Sequence, residues 1–308
     1  MNWFISFLSA AIIASTPLLF ATLGEILTEK VGNLNLGVEG MMLMGAIAGF
    51  LMGNLTNSPA VALISAFLLG AVGAFIYGFL TITLRANQVV SGLALTTFGT
   101  GIASMLGKSE VGVTVSDKVA VLSNKIAIPI LSKIPILGPT FFTQDILVYL
   151  AYIAAILTAV YLYRTTLGLN ATAVGENPPA ADAASINISG NKYIHTLIGG
   201  GLAGLGGAYI SLVYVPCWQE NITAGRGWIA VALVIFSKWN PILAIVGALV
   251  FGGLDILGFR VDLPISQYLI AALPYLVTVL VLVLTSMSKN GKKGGPRSLG
   301  TAYFREER

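Results

Sequence analysis

Cys217 and His195 are the only cysteine and the only histidine among the 308 residues. A single cysteine closes no intramolecular disulfide, and a single histidine builds no zinc site on its own. The serines, His195 and the acidic residues fall into no nucleophile, base and orienting-group arrangement, so hydrolysis by a triad is a poor reading. A formal Gly-x-Gly-x-x-Gly stands at 199–204, a pattern that cradles a pyrophosphate when it follows a strand. Here it lies inside an apolar run, with no strand before it and no Lys-Ser/Thr ending, and close helix packing accounts for it better. The chain is expected to hold no cofactor or metal. What remains for it is polar recognition rather than bond making.

Ionisable residues in or beside apolar runs are costly unless they are paired or face water. Glu39 and Arg226 matter most, and Glu25 and Asp255 share their status. Glu39 follows Asn33-Leu-Asn35-Leu-Gly37-Val, and Arg226 follows Asn221-Ile-Thr223-Ala-Gly225. Both motifs place Asn four residues before Gly, then one charge, then another Gly. Either Glu39 and Arg226 line a polar path, or each ends a span at an interface, or the two form a structural salt bridge. Asn87, Gln88 and Ser91 open a further apolar run, where amides cap a helix or hydrogen-bond a solute; capping is the simpler role. The candidate path is therefore Asn35, Glu39, Asn87, Gln88, Ser91, Thr223 and Arg226.

The elements that position these residues follow from composition. Charged residues make up 10% of the chain and hydrophobic ones 56%, and the mean hydropathy is +0.86. A soluble domain could not bury that much apolar surface. Period-2 barrel segments are absent, so the runs read as helices crossing a bilayer. Nine apolar segments are expected, at about 3–27, 36–53, 58–84, 88–107, 143–163, 192–214, 227–238, 241–258 and 266–287. The first has no basic n-region and meets Glu25 and Lys30 rather than a cleavage site, so it reads as a span and not a signal peptide. The fold class is an all-α polytopic bundle, a single transmembrane domain over 1–308.

The tail at 288–308 carries Lys289, Lys292, Lys293, Arg297, Arg305 and Arg308, an orientation signal rather than a nucleic-acid arm. Counting back from a cytoplasmic tail puts eleven of the 17 Lys and Arg residues inside and the N-terminus outside. The loop at 108–143 is then external. Val111, Val113 and Val115 alternate, and Pro129, Pro135 and Pro139 forbid a straight helix, so a short ribbon and a broken interfacial helix are expected there. The same count has the Glu39 segment entered from the cytoplasm and the Arg226 segment from outside, as in an inverted repeat with a path near the midplane.

One polar island, 165–192, interrupts the apolar runs on the cytoplasmic side. Asn177 can cap a short helix, Pro178 suits its first turn, and Asp182 follows near its start. The island reads as a docking element or as a plain solvated connection.

Residues 32–42 (GNLNLGVEGMM), 86–95 (ANQVVSGLAL), 173–178 (AVGENP), 223–230 (TAGRGWIA) and 296–303 (PRSLGTAY) resemble the permease subunits of bacterial ABC importers for nucleosides. Those subunits fall within the wider branched-chain amino acid and ribose permease family. The resemblance runs from about residue 25 to the C-terminus. It implies a multi-pass subunit of the bacterial cell membrane that works with a second, related permease, a cytoplasmic ATPase with two nucleotide-binding domains and an external substrate-binding lipoprotein. ATP and Mg would be bound by the ATPase. The island becomes a coupling helix, with Gly175, Glu176, Asn177, Ala180, Ala181 and Asp182 matching the family's loop. Thr172 stands where relatives often have Arg, and Ser185 where they often have Gly.

The function implied is ATP-driven uptake of a nucleoside. The alternatives are the same machine importing a simple sugar or a branched-chain amino acid, and an ion-coupled secondary transporter. The shortage of buried carboxylates counts against ion coupling.

Overall fold

Helix follows helix along this chain because the breaks are confined to short polar or glycine-containing links, and most starts carry a side-chain cap. The computed structural model describes residues 2–260 and 295–304, together with scattered helical residues between 272 and 283. The expected segment at 266–287 and most of the basic tail lie outside the described residues. In chain order the helices are α1 (Asn2–Lys30), α2 (Val38–Thr56), α3 (Pro59–Gly78), α4 (Gln88–Gly107), α5 (Asp117–Ala120), α6 (Leu137–Phe141), α7 (Ile146–Arg164), α8 (Thr166–Glu176), α9 (Pro178–Ala183), α10 (Ile188–Tyr209), α11 (Arg226–Phe236) and α12 (Pro241–Arg260). α3 and α10 each run on into one π-helical stretch, Phe79–Thr83 and Ile210–Tyr214.

Asn87, Asp145 and Asn187 accept backbone amides at 2.9–3.1 Å and start α4, α7 and α10. Asp145 also accepts the Tyr209 hydroxyl at 2.8 Å. Burial nevertheless raises its carboxyl above the usual range, against those stabilising bonds. Seven described helices are long and apolar enough to cross a bilayer, and α11, at 11 residues, is not. The molecule is a polytopic membrane bundle, helical among the described residues apart from one two-residue ribbon and an isolated bridge between Thr114 and Cys217.

α10 is the central helix, packed against α1, α2 and α3. Its glycine run makes this possible. A Cβ on Gly199 would sit 3.3 Å or less from the Gly24 backbone of α1, one on Gly204 would strike the Ala66 carbonyl of α3, and one on Gly207 the Met42 carbonyl of α2. Backbone thus meets backbone along three neighbours, the packing expected where lipid supplies no hydrophobic drive between helices.

The 108–144 loop caps one end of the bundle. Strands β1 (Ile126–Ala127) and β2 (Thr143–Gln144) pair antiparallel on either side of the proline-broken turns and α6. Val111, Val113 and Val115 lead to a different partner. Val113 accepts the Trp218 amide at 3.0 Å and Val115 donates to Pro216 at 3.1 Å, so this stretch pairs with the segment after α10. At the opposite end lie α8, α9 and the 295–304 segment.

Candidate functional site

Two places gather the residues singled out above. The first is the buried junction between the start of α2 and the start of α11. Residues 31–37 turn inward from α1, and side chains from α1, α3 and α4 meet several of that link's backbone groups. Leu34 N–H donates to Gln88 Oε1 at 2.6 Å, Tyr77 donates to Leu34 O at 2.7 Å, and Thr96 donates to Leu36 O at 3.1 Å. Asn35 donates through its backbone and its amide to the Glu25 carboxylate at 3.1 and 3.2 Å, while its Oδ1 accepts Gly37 N–H at 2.9 Å. Irregular backbone at membrane depth is tolerated only when enclosed in this way.

Glu39, 4% exposed, closes the junction. Its Oε1 accepts the Thr223 hydroxyl at 2.5 Å and Gly225 N–H at 2.8 Å, and its Oε2 accepts Gly227 N–H at 2.6 Å. A carboxylate therefore occupies the N-terminus of α11, where free amides and the helix dipole both favour negative charge. Gly227 is required for the approach, since a Cβ there would lie 2.5 Å from Glu39 Cα. Gly225, at φ +82°, supplies the left-handed turn into the helix. Arg226 does not pair with Glu39. Its guanidinium bonds Asp255 of α12 at 3.0 Å and lies 5.3 Å from the centre of the Tyr214 ring.

From these two starts the helices run in opposite directions. α2 leaves the junction toward the capped end, where Asn54 bonds Thr114 and Ser116. α11 leaves it toward the other end, where Trp239 donates its indole N–H to Glu29 at 2.5 Å. Eleven residues of helix cover only about 16 Å, roughly half the hydrocarbon core, so the junction lies deep in the bundle. The remaining path candidates have structural duties: Gln88 holds the link, Asn87 caps α4, and Ser91 is buried in α4's first turn.

The second place is the elbow of α8 and α9. Thr165 caps α8, and Asn177 ends α8 while its Oδ1 accepts Ala180 N–H at 3.2 Å to start α9. α9 stops in a paired motif: Ser185 N–H donates to Asp182 O at 2.9 Å and Ile186 N–H to Ala181 O at 3.0 Å, with Ser185 at φ +60°. That left-handed conformation is one glycine adopts without strain. Thr172 spends its hydroxyl on Gly168 O at 3.0 Å within α8.

The elbow is strapped from behind by the 295–304 segment. Gly175 O accepts both Ser298 N–H, at 3.0 Å, and Ser298 Oγ, at 2.6 Å. Gly300 N–H donates to Gly32 O at 3.2 Å, and the Tyr303 hydroxyl donates to Asp182 at 2.9 Å. A Cβ on Gly175 would strike the Lys30 carbonyl. The six island residues thus divide: Gly175 and Ala181 are buried, Asp182 is half-buried, and Glu176, Asn177 and Ala180 are exposed. Sequence reasoning missed the strap as a structural partner, and it missed Glu29. The spacing of Glu25 and Glu29, four apart inside one apolar helix, was the available signal for the second.

Residues 7–285 match the family described as "Branched-chain amino acid transport system / permease component". The chain belongs to that family. The permease is 35% identical to the putative glucose ABC transporter permease protein TsgC13 of Haloferax volcanii, covering 99% of each chain. It is 33% identical to the guanosine ABC transporter permease protein NupQ of Bacillus subtilis, over 97% of this chain and 96% of that one. With the nucleoside ABC transporter permease protein NupC of Lactococcus lactis it shares 32%, over 96% of both. The latter two bacteria each hold a second, more distant match, at 24% and 26% identity. Among solved structures, a putative metal-chelate type ABC transporter in an inward-facing conformation superposes with a TM-score of 0.53 at 14% identity, covering 90% of this chain and 85% of that one. The permease is thus a membrane subunit of an ABC importer.

Proposed function

We propose that the permease carries nucleosides inward, receiving them from an external binding lipoprotein and moving them when a cytoplasmic ATPase pushes on the α8–α9 elbow. The observation that carries this reading is the elbow's construction: an exposed face of Glu176, Asn177, Pro179, Ala180 and Ala183 on a base fixed by Gly175, Ala181 and the tail strap. A surface that must transmit force needs such a rigid base. The cytoplasmic position of the elbow, and the external position of the 108–144 cap, are supported by the eleven basic residues assigned to that side. α2 and α11, starting together and running apart, support an inverted-repeat core with the solute path beside their junction. In this reading Asn35, Glu39, Asn87, Gln88, Ser91 and Thr223 hold the path's shape, and Arg226 with Asp255 is the charged pair nearest the moving solute.

Nucleoside as substrate is supported by the Bacillus and Lactococcus relatives. Two permeases of unequal similarity in each of those bacteria support a heterodimer with a second, related permease. The Haloferax relative favours one second reading, a simple sugar.

The test is co-purification with the native partners, followed by mass spectrometry of the ligand held by the external component. A nucleoside supports the proposal and glucose supports the second reading. Gly175→Pro with Asn177→Leu should abolish substrate-stimulated ATP hydrolysis and uptake in the assembled complex; retention of both would remove the elbow from the mechanism.

A further inference from the structure

A polar cavity of about 520 Å³ opens beside the elbow, between the end of α3, the start of α10 and the tail strap. Lys192, Arg85, Ser189, Asp182 and Tyr303 are among its lining residues. Lys192 is 4% exposed, and among the described residues it has neither a hydrogen-bond acceptor nor a carboxylate within salt-bridge distance. A lysine withdrawn from water without a counter-charge is expensive, and Lys192 lines this polar cavity. Arg85 contributes a second cation. It lies 4.7 Å from the centre of the Phe304 ring and joins no described salt bridge. The single lining carboxylate, Asp182, is engaged by the Tyr303 hydroxyl at 2.9 Å. The start of α10, a 22-residue helix whose Gly190 amide is taken by Asn187, adds a dipole of the sign that attracts an anion.

We infer that this cavity binds a phosphate group between Lys192 and Arg85, over the first turn of α10. A phosphate ester, with several acceptor oxygens, can engage the two cations and the Ser189 hydroxyl together, which a chloride cannot. Phe79, Leu84 and Ile194 flank the site and are 44%, 57% and 55% exposed. Exposed apolar residues on the same two elements suit a lipid-facing position, so the headgroup of an anionic phospholipid is one source of that phosphate and a free phosphate is the other. Basic pockets between spanning helices hold such headgroups.

The experiment uses the full-length chain, delipidated in a non-ionic detergent. Native mass spectrometry compares binding of phosphatidylglycerol with phosphatidylcholine, and a thermal-shift series uses inorganic phosphate. The expected result is one retained phosphatidylglycerol, weakened about fivefold in Lys192→Met and about fivefold in Arg85→Gln, the effect of removing one basic residue near an anionic headgroup. Lys192→Arg should keep most of the binding. A phosphate-dependent shift lost in Lys192→Met, without any lipid preference, supports the site with free phosphate as its source. The inference is overturned if the chain shows neither lipid preference nor phosphate shift, or if both neutral variants bind as the wild type does. Should Lys192→Met fail to accumulate, Arg85→Gln, at an exposed position, decides alone.

Discussion

Glu39→Gln is the sharpest probe of the buried junction. The wild-type carboxylate accepts three donors, two of them amides at the start of α11. In the amide, the oxygen can keep Thr223 and Gly225, but the NH2 group then faces Gly227 N–H across a contact that was 2.6 Å to an acceptor. Donor meets donor, and an orphaned buried N–H costs about 1–3 kcal/mol. Loss of the negative charge at a helix N-terminus adds about 0.3–2 kcal/mol. A total of about 1–5 kcal/mol follows, and at about 2 °C per kcal/mol for a chain of this size the midpoint of thermal unfolding should fall by roughly 3–10 °C. Size-exclusion chromatography of detergent-solubilised protein after a heat series measures it. Thr223→Val removes one donor without orphaning an amide and should cost about 1 kcal/mol. If Glu39→Gln abolishes uptake while leaving the midpoint within a degree of wild type, Glu39 acts on the solute and the anchoring argument is refuted.

Other substitutions separate tight from loose positions. Ser185→Gly relieves a side chain held at φ +60° and should stabilise by about 0.5–1 kcal/mol after the extra chain entropy of glycine; an unchanged or lower midpoint would contradict it. Gly204→Val drives a side chain into the Ala66 carbonyl and should sharply cut the yield of monodisperse protein, whereas Gly101→Ala, with open space around its Cβ, should raise the midpoint by about 1 kcal/mol equivalent in the isolated chain. Arg297→Ala breaks only an exposed 3.9 Å pair with Glu176 and should move stability by less than about 0.5 kcal/mol; a larger loss would show the tail strap to be held by that charge rather than by Ser298 and Tyr303.

Much of the architecture was legible in the residues because lipid leaves a chain few options. Apolar runs of spanning length must be helices, and eight of the nine expected segments appear as helices within a few residues of their expected bounds, the ninth falling outside the described residues. Asn87 and Asn177 announced their caps locally. The glycine run at 199–207 declared close packing, since nothing else excuses so many glycines in one helix. Family membership was equally legible, in short motifs along nearly the whole chain.

Partnership was not legible, because charge and polarity in a sequence carry no address. Glu39 and Arg226 looked alike as costly residues in matching motifs, yet one anchors a helix N-terminus across 184–188 residues of chain and the other pairs with Asp255. Val111, Val113 and Val115 showed an extended pattern but not that its partner lies beyond α10. The tail read as a charge signal, and only the fold turned Ser298 and Tyr303 into the strap of the elbow. Lys192 showed least of all: a lysine at the edge of a span is ordinary in sequence, and only tertiary packing made it a buried cation lining a polar cavity. The sequence by itself determined which segments are helices and where they stop, since those depend on neighbours a few residues apart. The tertiary structure alone decided which buried polar groups meet, since that depends on contacts between residues far apart in the chain.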